Sequence, residues 1–274
     1  HLINIRPLIT HSWLAWGVLI GFVGILLIVG NIVYYNKKRV EIDIKIDKPL
    51  TRPLRIVAIS DLHLGYGIKK DELEGWIGLI NAENPDIVLI AGDVVDNFAK
   101  PLFEDKVYKT LRRIKARYGV YMALGNHEYI GGEIDRNLNF LSQANVQVLR
   151  DSATLIDNTF YIIGRDDASR KYRNSLANIT DRLDHTKPMI VLDHQPSGFE
   201  EAQKCGIDLL LSGHTHGGQV FPISLVVKAV FKHSYGYHTA NGTHFYITSG
   251  LGIWGGKFRI GSRSEYVVIN LQGR

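Results

Sequence analysis

Arg55-Ile56-Val57-Ala58-Ile59-Ser60-Asp61-Leu62-His63 is an apolar run of strand length that stops at two side chains able to ligate a metal. Four later segments repeat the design. Ile87-Val88-Leu89-Ile90-Ala91 leads into Gly92-Asp93-Val94-Val95-Asp96, and Val120-Tyr121-Met122-Ala123-Leu124 leads into Gly125-Asn126-His127-Glu128. Ile190-Val191-Leu192 leads into Asp193-His194, and Leu209-Leu210-Leu211 runs on to Gly213-His214-Thr215-His216. Short apolar runs flanked by glycine read as strands buried on both faces. Sheets of that kind place their sites outside the carboxyl ends of the strands. The five segments therefore predict an α/β fold whose ligand-type residues converge on one crevice.

The chain has 274 residues, 45% of them hydrophobic and 22% charged, an ordinary globular composition. Its net charge of +5 reads as a solvated surface with surplus lysine. Attraction to anionic lipid or to a phosphate-bearing substrate is the sharper reading. With no long block of like charge, no nucleic-acid partner is expected. Cys205 is the single cysteine, which excludes an internal disulfide. Lying just before a strand, it reads as structural rather than catalytic.

Ahead of the globular part, residues 13–35 carry no charge. That length exceeds the ~20 residues needed to cross the hydrocarbon core. Trp13 and Trp16 at one end, with Tyr34 and Tyr35 at the other, are suited to the two interfaces. Lys37-Lys38-Arg39 follow the span, while the amino-terminal flank offers only Arg6. The positive-inside rule then places the downstream domain in the cytoplasm of a bacterial inner membrane. The expected division is a membrane anchor over residues 1–39 and one metal-binding domain over residues 40–274.

Residues 40–48 alternate apolar and polar and predict a half-exposed edge strand. Helical spacing predicts helices over residues 70–81, 106–117, 138–144 and 176–183. Residues 160–164 read as a further strand, and residues 244–249 and 266–271 as the closing strands. Core packing is the default for the apolar residues 221–231, and a surface that meets lipid or an acyl chain is the alternative. Arg259 and Arg263 are candidates for gripping a phosphate.

The ligand set contains carboxylates, imidazoles and an amide but no thiolate. It suits manganese, iron, zinc or a related divalent ion. There are too many ligands for one four-coordinate ion. Asp93 is the natural bridge of a two-metal site, because its two oxygens reach separate ions.

Asp61-x-His63, Gly92-Asp93-x-x-Asp96, Gly125-Asn126-His127-Glu128, His194 and Gly213-His214-x-His216 together resemble the calcineurin-like metallophosphoesterases. The resemblance covers residues 55–271. Gly213-His214-Thr215-His216-Gly217-Gly218-Gln219 and the apolar opening are most similar to the bacterial YkuE-like branch, near the UDP-2,3-diacylglucosamine hydrolases. The resemblance implies a four-layer αββα sandwich and two divalent metal ions. It implies that Asp61, His63 and His216 hold one ion, that Asn126, His194 and His214 hold the other, and that Asp93 bridges them. It further implies in-line attack on phosphorus by a hydroxide shared between the ions. His127 is then free to protonate the departing oxygen, with Asp96 as its orienting partner. Glu128, Asp166, Asp167, Asp193 and Asn97 are expected in supporting hydrogen bonds.

The expected function is hydrolysis of a phosphodiester or pyrophosphate in a lipid-linked substrate. A soluble nucleotide-type substrate is the alternative, and a non-catalytic metal-binding scaffold the remote one.

Overall fold

The five apolar runs form parallel strands divided between two sheets. The computed structural model describes residues 13–274, so Arg6 and the rest of the amino-terminal flank lie outside the described residues. The first sheet contains β1 (Lys38–Lys45), β2 (Leu54–Ile59), β3 (Ile87–Ala91), β4 (Val120–Ala123), β5 (Val146–Leu149) and β12 (Glu265–Gln272). Its order is β1-β12-β2-β3-β4-β5. The second sheet contains β6 (Ser152–Ile156), β7 (Phe160–Gly164), β8 (Met189–Leu192), β9 (Leu209–Ser212), β10 (Gly236–Ala240) and β11 (Thr243–Ile247). Its order is β10-β11-β9-β8-β7-β6. Within the sheets, β2-β3-β4-β5 and β7-β8-β9-β11 run parallel.

The period of two in a strand explains why these runs need no polar residue. In β2, Ile56 and Ala58 enter the core between the sheets, while Val57 and Ile59 face the outer layer. In β9, Leu209 and Leu211 point to the shared core and Leu210 to the opposite face. Both faces are covered, so both must be apolar. Helix α2 (Lys70–Ala82) covers the first sheet with Leu73, Trp76, Ile77 and Ile80, all buried as the helical spacing predicts. Helices α7 (Leu176–Thr180) and α8 (Phe199–Lys204) cover the second with Leu176 and Ala202. The result is the expected four-layer αββα sandwich. Phe160 is 1% exposed in the inter-sheet core. Phe160→Ala is therefore expected to cost about 3–5 kcal/mol, read by denaturant unfolding.

Several boundaries differ from expectation. A separate short helix, α3 (Lys100–Glu104), precedes α4 (Val107–Leu111), which is all that forms of the helix expected over residues 106–117. Lys106 is left-handed at φ 52 and breaks it at one end. At the other, Asn81 Oδ1 accepts the Lys115 N–H that a longer helix would have given to Leu111. Helix α5 (His127–Ile130) follows β4, and α6 (Ile134–Gln143) begins four residues before the expected start of residue 138. The edge strand spans Lys38–Lys45 rather than residues 40–48. Core packing of residues 221–231 is not what forms. Helix α9 (Ile223–Val230) has no buried residue, and Phe221, Ile223, Leu225, Val226 and Val230 are all exposed.

Helix α1 (Trp13–Tyr35) is long and apolar enough to cross a membrane, and only 6% of its most apolar window is buried. Its last turns pack on the domain. Gly30 O accepts the Arg259 N–H at 2.9 Å, and Asn31 Nδ2 donates to Lys257 O at 2.7 Å. The basic triplet that follows is not a free cluster. Lys37 Nζ lies 3.5 Å from the centroid of the Tyr34 ring, and burial, with Arg259 nearby, lowers its pKa to about 7. Arg39 is paired with Glu41 and Glu83.

Candidate metal centre

Every candidate ligand sits just past the carboxyl end of a strand. Asp61 and His63 follow β2, Asp93 follows β3, Asn126 follows β4, His194 follows β8, and His214 and His216 follow β9. Five of these seven have left-handed backbone: Asp61 at φ 54, His63 at φ 46, Asp93 at φ 54, His214 at φ 70 and His216 at φ 51. Non-glycine residues held there carry strain that clusters at functional sites. The glycines before them permit close approach. A Cβ on Gly213 would strike the Asp61 carboxylate and Ser60, and one on Gly92 would strike the His194 ring.

The side chains gather into two groups, Asp61–His63–His216 and Asp93–His194–His214, and His63, Asp93 and His127 form a third that overlaps both. In the first, His63 Nε2 faces His216 Nε2 at 3.2 Å, and His216 Nε2 lies 3.5 Å from Asp61 Oδ1. In the second, Asn126 Oδ1 lies 3.1 Å from His194 Nε2 and 3.0 Å from His214 Nδ1. Asp93 Oδ2 touches both groups, 3.1 Å from His194 Nε2 and 3.9 Å from His63 Nε2.

The ring orientations agree with ligation. His194 donates Nδ1–H to Ala91 O at 2.7 Å, and His63 directs Nδ1 at Asp96 Oδ1 at 3.3 Å. With Nδ1 held in this way, each ring turns Nε2 into the crevice, the orientation of a hydrogen-bonded metal-ligating histidine. Donor atoms ~2.1 Å from a common ion are separated by roughly 3.0–3.4 Å. The contacts within each group scatter around that range, so the donor set fits divalent ions. His63 Nε2 and His216 Nε2 face each other at 3.2 Å, a spacing at which two imidazole nitrogens ligate one cation.

Charge follows the same division. Burial would raise the Asp61 and Asp93 carboxyls, yet the surrounding imidazoles hold both below the ordinary range. Burial would lower His194, but Asp93 and Asp61 push it well above its usual value. His216, desolvated more than it is paired, is lowered to about 3.

His127 begins α5 beside the two groups. Its Nδ1 lies 2.6 Å from Asp96 O and 3.3 Å from Asp96 Oδ1. Burial lowers its pKa, and hydrogen bonding with Asp96 more than offsets that. Asp96 serves His63 and His127 together.

Supporting contacts extend further. Glu128 is fully buried and accepts backbone N–H groups from Asp93, Val94, Val95 and Gly125. Burial, then Asp93, raises its pKa to about 7. Glu128→Ala strands four donors and is expected to cost about 2–4 kcal/mol, read by thermal unfolding with and without metal. Asp193 is held by Arg165 and Arg173. Gln195 donates to Asp167, Tyr129 donates to Asp166, and Asn97 donates to Asp96. Neither arginine holding Asp193 stood out in the sequence, because each lies well before the ligand motif it supports.

Arg259 corrects an expectation. It is 1% exposed and donates to the carbonyls of His216, Ser249 and Gly252. Its guanidinium props the His216 loop and is not presented to a phosphate. Arg263 is exposed.

A family model described as calcineurin-like phosphoesterase matches residues 54–218. A Campylobacter jejuni protein named "Uncharacterized metallophosphoesterase" is 35% identical over 240 residues, covering 85% of this chain and 63% of that protein. A Danio rerio "Transmembrane protein with metallophosphoesterase domain" is 31% identical over 252 residues, covering 86% of this chain and 57% of that protein. The Bacillus subtilis "Uncharacterized metallophosphoesterase YkuE" is 28% identical over 229 residues, covering 80% of this chain and 79% of that protein. The chain thus spans less than two thirds of the first two. The family match stops at residue 218, and β10, β11 and β12 complete the sheets beyond it. With more than half of its length matched and all five ligand segments gathered at one crevice, the chain belongs to the calcineurin-like phosphoesterase family.

Proposed function

We propose that the chain is a membrane-anchored phosphoesterase that uses two divalent metal ions to hydrolyse a phosphodiester or pyrophosphate in a lipid-linked substrate. The observation that carries this reading is the pair of ligand groups sharing Asp93, with His127 beside them on Asp96. Asp61, His63 and His216 would hold one ion, Asn126, His194 and His214 the other, and Asp93 both. Two bound divalent ions supply Lewis acidity toward the phosphoryl oxygens and lower the pKa of water. Manganese, iron and zinc all suit these donors. His127, its Nδ1 fixed by Asp96, has Nε2 available to give a proton to the departing oxygen. Glu128 holds the turn after β3 and the turn after β4 at one separation, which keeps Asp93 and Asn126 in place.

Residues 1–39 are assigned as the anchor and residues 40–274 as the metallophosphoesterase domain. The two-residue link between α1 and β1 keeps the domain against the bilayer surface. Lys38 and its neighbours favour the cytoplasmic side of a bacterial inner membrane. A relative bearing the word transmembrane in its name supports anchoring. UDP-2,3-diacylglucosamine, whose pyrophosphate joins a nucleotide to a diacylated sugar, is the specific substrate this reading favours.

The test compares hydrolysis by the full chain in lipid vesicles of UDP-2,3-diacylglucosamine, another lipid-borne diester and soluble nucleotide diesters. Preferential cleavage of a lipid-borne substrate supports the reading. Equal or faster turnover of the soluble esters contradicts the lipid linkage and favours a nucleotide-type substrate.

A further inference from the structure

A cavity of about 520 Å³ lies between α1, α9 and the loop carrying His216. One wall is membrane helix, formed by Leu26, Val29 and Val33. At 1.5 Å rise per residue these extend over about 10 Å of helix, starting about 13 Å before Tyr35. The floor includes Gly217, next to the candidate ligand His216. Lys38, Lys228 and Arg263 also line it, and among the described residues none of the three makes an ion pair. No acidic side chain lines the cavity.

Helix α9 contributes Ser224 and Lys228 to this cavity while exposing Ile223, Leu225, Val226 and Val230. If α1 spans a bilayer, α9 stands beside its last turns. Its exposed apolar side chains then meet acyl chains, while Lys228 reaches the headgroup level, the division expected of an interfacial helix.

We infer that this cavity binds a membrane amphiphile with an anionic, phosphate-bearing head and at least one acyl chain. The head pairs with Lys38, Lys228 and Arg263, and the chain lies along Leu26, Val29 and Val33. Unpaired cations with no competing carboxylate select a negative head. The hydrocarbon-facing wall selects a lipid over a free phosphate. The site deepens the lipid-linked reading above and rests on it, because it holds the membrane-resident part of a substrate next to the His216 loop.

The experiment is native mass spectrometry of the full chain in detergent micelles, titrated with dioleoyl phosphatidic acid, dioleoyl phosphatidylcholine or glycerol 3-phosphate. One phosphatidic acid is expected to be retained, with the other two at least about tenfold weaker. The Lys228→Glu/Arg263→Glu pair is expected to weaken retention about tenfold. Val29→Trp, which fills the cavity and keeps all three cations, is expected to do the same. Unchanged retention in both variants overturns the site, as does equal retention of phosphatidylcholine. Glycerol phosphate bound as tightly as phosphatidic acid, with the same losses in the variants, makes it a free-phosphate site and overturns the membrane source. Hydrolysis is scored separately. Retention through the cavity without cleavage of any lipid-borne diester keeps the site and overturns the lipid-linked substrate.

Discussion

Asp93→Ala abolishes phosphoester hydrolysis, with an expected loss of at least roughly 10³-fold in kcat/KM. Asp93 Oδ2 faces ring nitrogens of both ligand groups, 3.1 Å from His194 Nε2 and 3.9 Å from His63 Nε2. Its other oxygen accepts the His127 N–H at 2.9 Å, so truncation also releases the start of α5. Removing the carboxylate takes a donor and a negative charge from two cation sites together. Metal content of the purified variant, read by elemental analysis, is expected to fall with activity. A variant that kept full turnover would remove Asp93 from the centre.

His127→Ala leaves metal content intact and lowers kcat about 10²–10³-fold on an alkyl phosphodiester. The reason is its position: its Nδ1 is engaged with Asp96, and the ligand sets proposed for the two ions do not include it. A proton donor matters most when the departing oxygen is basic. The loss is therefore expected to shrink for a p-nitrophenyl ester, whose leaving group departs without protonation. Measuring kcat for both esters separates proton donation from simple steadying of the phosphoryl group. Equal losses on the two esters would assign His127 the second role.

Much of this site could be read from the chain because parallel strands simplify their own sequences. From Ile56 in β2, and in β3, β8 and β9, the strands are buried on both faces, so their apolar runs are unbroken and the first polar residues mark the carboxyl ends. Asp61, Asp93 and His194 stand out for that reason. The helices were less legible where tertiary hydrogen bonds ended them, as Asn81 does at Lys115. Residues 221–231 were misread because periodicity identifies an apolar segment but not what covers it. In the structure nothing within the described residues buries α9. Arg259 was misread for a related reason. An arginine near a glycine-rich loop suits an anion and a set of backbone carbonyls equally well, and only the fold shows the carbonyls of His216, Ser249 and Gly252 around it.

Titration of the metal-stripped full chain in detergent micelles with manganese, following bound ion and bis-p-nitrophenyl phosphate hydrolysis together, tests the central claim most directly. Two ions per chain, with turnover rising to a plateau as the second binds, is the predicted result. A folded chain that binds two ions and hydrolyses neither this ester nor UDP-2,3-diacylglucosamine would contradict it and leave a metal-binding scaffold.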